Sequence, residues 1–239
     1  MKKKDNILLQ ESKKWTFDKE VAGCFDNMLE RSIPQYSVMR ELTASLGFRF
    51  VQDGSNIVDM GCSNGNAVMP FVEKFANRNK YYLYDVSEPM LDIARKKYKK
   101  YIDMDTVTVD NFDIKNGIEV ENCSLVLSVL TLQFTPIEYR QRIVDSVYRH
   151  LNRKGAFILV EKVLGNDFES DKMLVNEYYK MKSKNCYTQE QIERKRKSLE
   201  GVFVPITSKW NEELLRSCRF RVELFWRCLN FAGWIAIKD

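Results

Sequence analysis

The segment from Asn56 to Phe75 constrains this chain more than any other. Asn56–Met60 is short and apolar, contains Asp59 near its end, and runs directly into Gly61-Cys62-Ser63-Asn64-Gly65, after which Ala67–Phe75 has helical spacing. Strand, glycine loop and helix in that order form the first half of a βαβ unit. The pattern recurs. Tyr81–Tyr84 reads as a strand ending at Asp85, and Ser87-Glu88-Pro89-Met90 starts a helix with Ser87 as its cap and Pro89 in its first turn. Thr106–Val109 is a third strand, with Asp113 in the loop after it. Ser124–Val129, apolar on both faces, is a fourth. Pro136–Leu151 is helical, and Gly155 turns the chain into a fifth strand, Ala156–Val160.

Alternating strands and helices predict a mostly parallel, doubly wound α/β sheet. Two features lie outside that repeat. Helices within residues 1–50, broken at Ile33-Pro34, precede the first strand, and a charged helical stretch over 166–204 reads as an inserted cap. Arg221–Cys228 and Ala232–Ile237 are too close for a helical crossover, so they form an antiparallel pair. The 239 residues, 44% hydrophobic, suffice to bury one large core, and a single domain over 1–239 is expected.

Composition narrows the partners. The formal charge of +5 arises largely from local runs such as Lys2-Lys3-Lys4 and Lys96-Lys97, which are ordinarily solvated, so nucleic acid is not the expected partner and a small molecule is. Six cysteines without C-x-x-C spacing and a single histidine, His150, argue against a metal site. His150 belongs at a helix C-terminus, where imidazolium suits the dipole. Without a signal peptide or a long apolar run, a cytoplasmic, non-membrane protein is expected.

In open α/β sheets ligands bind beyond the carboxyl ends of the strands. Asp59, the Gly61 loop, Asp85 and Asp113 all fall there. The loop reads D-x-G-x-x-x-G, without the third glycine of the dinucleotide fingerprint, and the antiparallel ending also disfavours NAD, the natural rival. Both features fit S-adenosylmethionine (SAM), which has no pyrophosphate: the loop packs against its amino-acid and ribose parts, and Asp85 accepts from the ribose hydroxyls. Aromatic rings could stabilise its sulfonium, with Tyr36, Tyr178, Tyr179, Trp210 and Trp226 as candidates.

Nearly the whole chain resembles the carboxy-SAM synthases of the tRNA wobble-uridine carboxymethoxy pathway, members of the class I methyltransferase superfamily. The resemblance rests on Trp15-Thr16-Phe17-Asp18, Arg31-Ser32-Ile33-Pro34-Gln35-Tyr36-Ser37, Asp59-Met60-Gly61-Cys62-Ser63, Thr131-Leu132-Gln133-Phe134, Glu161-Lys162 and Lys195-Arg196, in that order. It implies a Rossmann-like sheet and a homodimer. It also implies a site for SAM, carboxy-SAM or S-adenosylhomocysteine lined by Tyr36, Gly61, Cys62, Ser63, Asp85, Val86, Asp113 and Ile114. Arg196 would bind the product's extra carboxylate from the partner subunit. The chain departs from the family at Val129, where an asparagine is expected, at Tyr178-Tyr179, where histidines are expected, and over Leu199–Pro205.

The sequence therefore predicts a SAM-dependent transferase, first a methyltransferase for a small-molecule acceptor. The alternatives are a carboxy-SAM synthase using prephenate, another SAM modification such as intramolecular cyclisation, and a non-catalytic SAM-binding protein. Candidate catalytic residues are Arg196, Tyr178 and Tyr179. An anion-binding cap pocket near Arg196 would favour the synthase, and an apolar pocket walled by the two tyrosines the methyltransferase.

Overall fold

The computed structural model describes residues 14–239; the Lys2-Lys3-Lys4 run lies outside the described residues. The N-terminal helices are α1 (Lys19–Ser32) and α2 (Tyr36–Gly47). The Asp18 carboxylate caps α1 by accepting from the Glu20 and Val21 amides, and Gln35, at φ 52°, redirects the chain into α2 after the Ile33-Pro34 break. The repeating core follows as β1 (Asn56–Met60), α3 (Met69–Phe75), β2 (Lys80–Asp85), α4 (Glu88–Asp103), β3 (Val107–Asn111), β4 (Cys123–Val129), α5 (Ile137–His150) and β5 (Leu151–Leu164). Helices α6 (Phe168–Lys184) and α7 (Gln189–Leu199) form the expected cap, and β6 (Ile206–Thr207), α8 (Ser208–Ser217), β7 (Arg221–Cys228) and β8 (Phe231–Ile237) complete the chain.

The strands run in the order β3-β2-β1-β4-β5-β8-β7. The first five are parallel, and β8 is antiparallel to both β5 and β7. The closing hairpin thus folds back so that the last strand enters between its partner and β5. The short β6 pairs parallel with the end of β5 through Val163 and Ile206. Successive side chains point to opposite faces of the sheet, so Ile57, Leu125 and Ile158 join one apolar cluster while Val58, Val126 and Phe157 join the other. The strand order reverses between β1 and β4, which opens the binding crevice at their carboxyl ends.

Three expectations need correction. The fifth strand spans 151–164 rather than 156–160: Gly155 lies inside it, where the register against β4 jumps from Cys123 opposite Leu151 to Leu125 opposite Ala156. A Cβ at Gly155 would stand 2.9 Å from the Asn152 carbonyl and 3.0 Å from that of Ser124, so glycine marks close backbone approach and not a turn. The helix after the glycine loop starts at Met69 rather than Ala67, because the turns continue through Val68. The region after the cap also holds the two-residue β6 and the amphipathic ten-residue helix α8 before the final hairpin, neither of which the strand-helix repeat anticipates. His150 does end α5, where Nδ1 lies 2.8 Å from the Ser146 carbonyl and Nε2 3.4 Å from Glu121.

Candidate functional site

At the carboxyl end of β1 the chain makes a tight approach to its neighbours. Gly61, at φ 70°, and Cys62 both donate their amides to the Tyr84 carbonyl, at 2.7 and 2.9 Å. A Cβ on Gly61 would stand 2.1 Å from Thr131 Cγ2, and one on Gly65, at φ 77°, would stand 2.5 Å from the Tyr98 ring. Only glycine fits either position. Tyr98 further fixes the loop by donating its hydroxyl to the Gly65 carbonyl at 2.6 Å.

Asp85, at the end of β2, is tied to this loop. Its carboxylate accepts from the Ser63 amide at 2.8 Å and from the Ser87 amide at 2.9 Å, one oxygen each. Each oxygen retains acceptor capacity, the arrangement needed to receive two ribose hydroxyls. Burial raises the Asp85 carboxyl, and the amide hydrogen bonds oppose that shift. Asp59 is different. It is fully buried beneath the loop with neither carboxylate oxygen hydrogen-bonded among the described residues, and burial pushes it up to about 7 against the opposing field of Arg40. A buried carboxylate left without a partner fits a site whose ligand brings a cation. These donors and acceptors fit SAM.

In front of the loop lies a cavity of about 600 Å³. It brings together Tyr36, Gly61, Cys62, Ser63, Val129, Tyr178, Tyr179 and Arg196 from among the residues singled out in the sequence. Asp59, Asp85, Val86, Asp113 and Ile114 are not part of its lining. Val86 is exposed beside Asp85, while Asp113 caps the 3-10 turn Ile114–Asn116 through the Lys115 amide and pairs with the Lys115 ammonium at 3.0 Å. Trp210 is exposed on α8 and Trp226 is buried on β7; neither is among the lining residues. Cys62 is buried, and its thiol is raised by burial and by the charges of Asp59 and Asp85, which disfavours a thiolate nucleophile.

The cap side of the cavity carries a feature that sequence patterning missed. Lys162 from β5, Lys182 from α6 and Lys195 from α7 all line it. The Lys162 and Lys182 ammonium groups lie 4.7 and 5.6 Å from the centroid of the Tyr178 ring, and that of Lys195 lies over Trp15. Among the described residues none of the three is within ion-pair distance of a carboxylate, and Glu200 is the one acidic residue in the lining. Burial lowers Lys162 to about 8 and Lys182 to about 8, the latter helped by Lys162 and Arg31, and burial also holds Lys195 well below the ordinary lysine range. Arg196 pairs instead with Glu193 of its own helix at 3.0 Å and with Glu200, just past the helix end, at 2.8 Å.

A buried network holds the wall between loop and lysines. Glu161, raised to about 8 mainly by burial, accepts from the Leu132 amide at 3.0 Å, and Gln133 accepts from the Lys162 amide at 2.8 Å. The cap is fastened to α1 by Arg31, which donates to the carbonyls of Asn185 at 2.9 Å and Cys186 at 3.2 Å.

A mostly parallel sheet with an antiparallel ending, a glycine loop after β1 and an acidic residue at the end of β2 define a class I SAM-dependent transferase. Residues 57–155 match the family described as the methyltransferase domain. The chain is 36% identical over 224 residues to the carboxy-S-adenosyl-L-methionine synthase of Methylococcus capsulatus, covering 93% of each protein. It is 34% identical over 226 residues to that of Escherichia coli K12, covering 94% of this chain and 91% of the relative. The chain belongs to the carboxy-S-adenosyl-L-methionine synthase family within the class I methyltransferase superfamily, and is a SAM-dependent enzyme.

Solved structures share the fold. An O-methyltransferase family protein from Burkholderia thailandensis superposes with a TM-score of 0.65 at 14% identity, over 93% of this chain and 60% of that one. Human N-acetylserotonin methyltransferase in complex with SAM gives 0.61 at 12% identity, over 92% of this chain and 55% of that one. The chain therefore spans little more than half the length of those proteins. Among the described residues no helix is long and apolar enough to cross a membrane.

Proposed function

We propose that this chain is a carboxy-SAM synthase, taking SAM together with a small dianionic carboxylate, prephenate being the compound that the family resemblance implies. The observation that carries this reading over simple methyl transfer is the trio Lys162, Lys182 and Lys195, three ammonium groups facing one cavity with no carboxylate paired to them. Leaving charges in such a setting is costly unless a ligand neutralises them. A neutral or cationic methyl acceptor would leave that cost unrelieved.

Bound SAM supplies a methyl group that its sulfonium makes both electrophilic and acidic. The chain's own residues do the rest by binding and positioning. Gly61–Ser63 and Asp85 hold the nucleoside side, the lysines hold the carboxylates, and the Tyr178 and Phe203 rings beside Lys162 exclude water, which strengthens each charge interaction. Tyr178 and Tyr179 wall the cavity as an aromatic surface, so the two features expected of rival pockets occur together here.

The same reading includes a cytoplasmic homodimer in which Arg196 reaches the neighbouring subunit's cavity. The reach is what the family resemblance implies; in this subunit Arg196 is exposed and lines its own cavity, and the exposed Leu164, Phe168 and Met173 on adjoining elements offer an apolar surface for a second copy.

The test is mass spectrometry of products after incubation with SAM, with and without prephenate. A prephenate-dependent carboxylated SAM is the expected result. Transfer of the methyl group to an added acceptor without prephenate would overturn the reading in favour of a methyltransferase, and a cyclised amino acid derived from SAM would point to intramolecular displacement. Bound SAM unchanged under all conditions would mark a SAM-binding protein without catalysis.

A further inference from the structure

The amino-acid end of SAM is a zwitterion, and a site that selects it must answer both charges. Asp59, buried and unpartnered beneath the loop at the end of β1, answers the ammonium through its field from behind the cavity lining. At the end of β4, across the same crevice, Val129 lines the cavity and has no side-chain donor. The carboxylate must therefore find its donor elsewhere.

We propose that Arg40 supplies it: this guanidinium binds the α-carboxylate of SAM and sets the preference for SAM over ligands that lack that group. Arg40 lies one helical turn after Tyr36 on α2, so both side chains project from the same face toward the glycine loop. It lines the cavity together with Tyr36, Ser63 and Asn66. Its Nη1 donates to the Tyr36 hydroxyl at 3.3 Å and its Nη2 to the Asn66 carbonyl. Those two contacts aim the guanidinium and leave most of its five N–H donors unused. Among the described residues no carboxylate forms an ion pair with it, although its field reaches Asp59 and lowers that group against the effect of burial.

The surroundings hold the arrangement in place. Asp26 accepts from the side-chain amides of Asn64 and Asn66, each at 2.7 Å, and Lys97 donates to the Asn64 carbonyl at 2.7 Å. The segment that carries the Arg40 contact is thus clamped from α1 and α4. The other cations of the cavity, Lys162, Lys182, Lys195 and Arg196, come from β5 and the cap helices.

The experiment is calorimetric titration with SAM and with decarboxylated SAM, in which hydrogen replaces the α-carboxylate, on the full chain and its Arg40→Ala, Arg40→Lys and Arg40→Gln variants. The wild type should prefer SAM. In Arg40→Ala that preference should fall by about tenfold to hundredfold, the usual worth of a charge-assisted hydrogen bond, while the affinity for the decarboxylated ligand changes little. Arg40→Lys should retain part of the preference. Arg40→Gln, which keeps a donor toward Asn66 and Tyr36 without the charge, should lose most of it at an unchanged melting temperature.

Equal weakening of both ligands in Arg40→Ala and Arg40→Gln would overturn the proposal and leave Arg40 as a fastening between α2 and the loop. A wild type that binds neither ligand would overturn it by removing SAM from the site altogether.

Discussion

The ammonium groups of Lys162 and Lys182 approach one ring, that of Tyr178, with centroid distances of 4.7 and 5.6 Å and no carboxylate paired to either. The ring's negative face attenuates their mutual repulsion without neutralising it. Replacing even a buried ion pair with well-packed apolar groups is often neutral or stabilising, by about 1–4 kcal/mol, and an unpaired ammonium has no Coulombic partner to lose. Lys162→Met and Lys182→Met should therefore raise the melting temperature of the ligand-free protein or leave it unchanged. The affinity for an anionic co-substrate should fall at least tenfold, with SAM affinity preserved. Calorimetry on the two ligands separately checks both halves, and a fall in melting temperature would show that the lysines serve the fold.

Proton linkage gives the same two lysines a second signature. A lysine lowered to about 8 in the folded chain, but ordinary when unfolded, lets the unfolded state bind more protons between about pH 8 and pH 10. Stability therefore rises with pH over that window, and the lysines' destabilisation is fully present below it. The stability difference between wild type and Lys182→Met should shrink from pH 7 to pH 9, measured by denaturant unfolding. Binding of a dicarboxylate restores the charged form, so at pH 8 it should take up protons, visible as a heat that depends on the buffer's ionisation enthalpy. The uptake through Lys162 and Lys182 should vanish near pH 6, where both are already protonated.

The glycine loop permits a controlled comparison. Gly54 and Gly61 share a left-handed backbone, at φ 76° and 70°, but a Cβ on Gly54 meets nothing within 4 Å while one on Gly61 meets Thr131 at 2.1 Å. Gly54→Ala should cost only the backbone strain, about 1 kcal/mol. Gly61→Ala adds displacement of Thr131 and of the loop, so it should lower the melting temperature further and abolish measurable SAM binding. Equal effects in thermal melts would mean that the loop yields freely.

Much of this was legible because it is local. Strand ends carrying Asp59 and Asp85, the glycine loop and the paired C-terminal strands follow from periodicity and turn chemistry, and the structure places them as expected. The lysines were not legible in that way. Lys195 sits in Arg194-Lys195-Arg196-Lys197, which reads as a solvated run, and Lys182 is one of three alternating lysines on α6. Their burial depends on where the cap lands, and that is set by Arg31 reaching the carbonyls of Asn185 and Cys186, more than 150 positions away. The one local hint was the i, i+4 placement of Tyr178 and Lys182. Arg40 was hidden for a similar reason, since its contact with Asn66 forms only when α2 packs on the loop.

Glu161 titrates in the opposite sense to the lysines and can be separated from them. Burial raises its carboxyl to about 8, whereas an unfolded glutamate is near 4.3, so the folded chain binds more protons between those limits. Its contribution to stability is complete below pH 4 and is lost as pH rises toward 8. Glu161→Gln keeps an acceptor for the Leu132 amide but cannot ionise, so the variant should gain stability relative to wild type as pH increases from 5 to 8. Because Gln133 on the same turn accepts from the Lys162 amide, loss of the Leu132 contact would also displace Lys162. Glu161→Ala should therefore lose both stability and co-substrate affinity, whereas Glu161→Gln should keep the affinity. Denaturant unfolding across pH, paired with calorimetry on both variants, checks this, and a pH-independent gap between wild type and Glu161→Gln would place the ionisation outside that range.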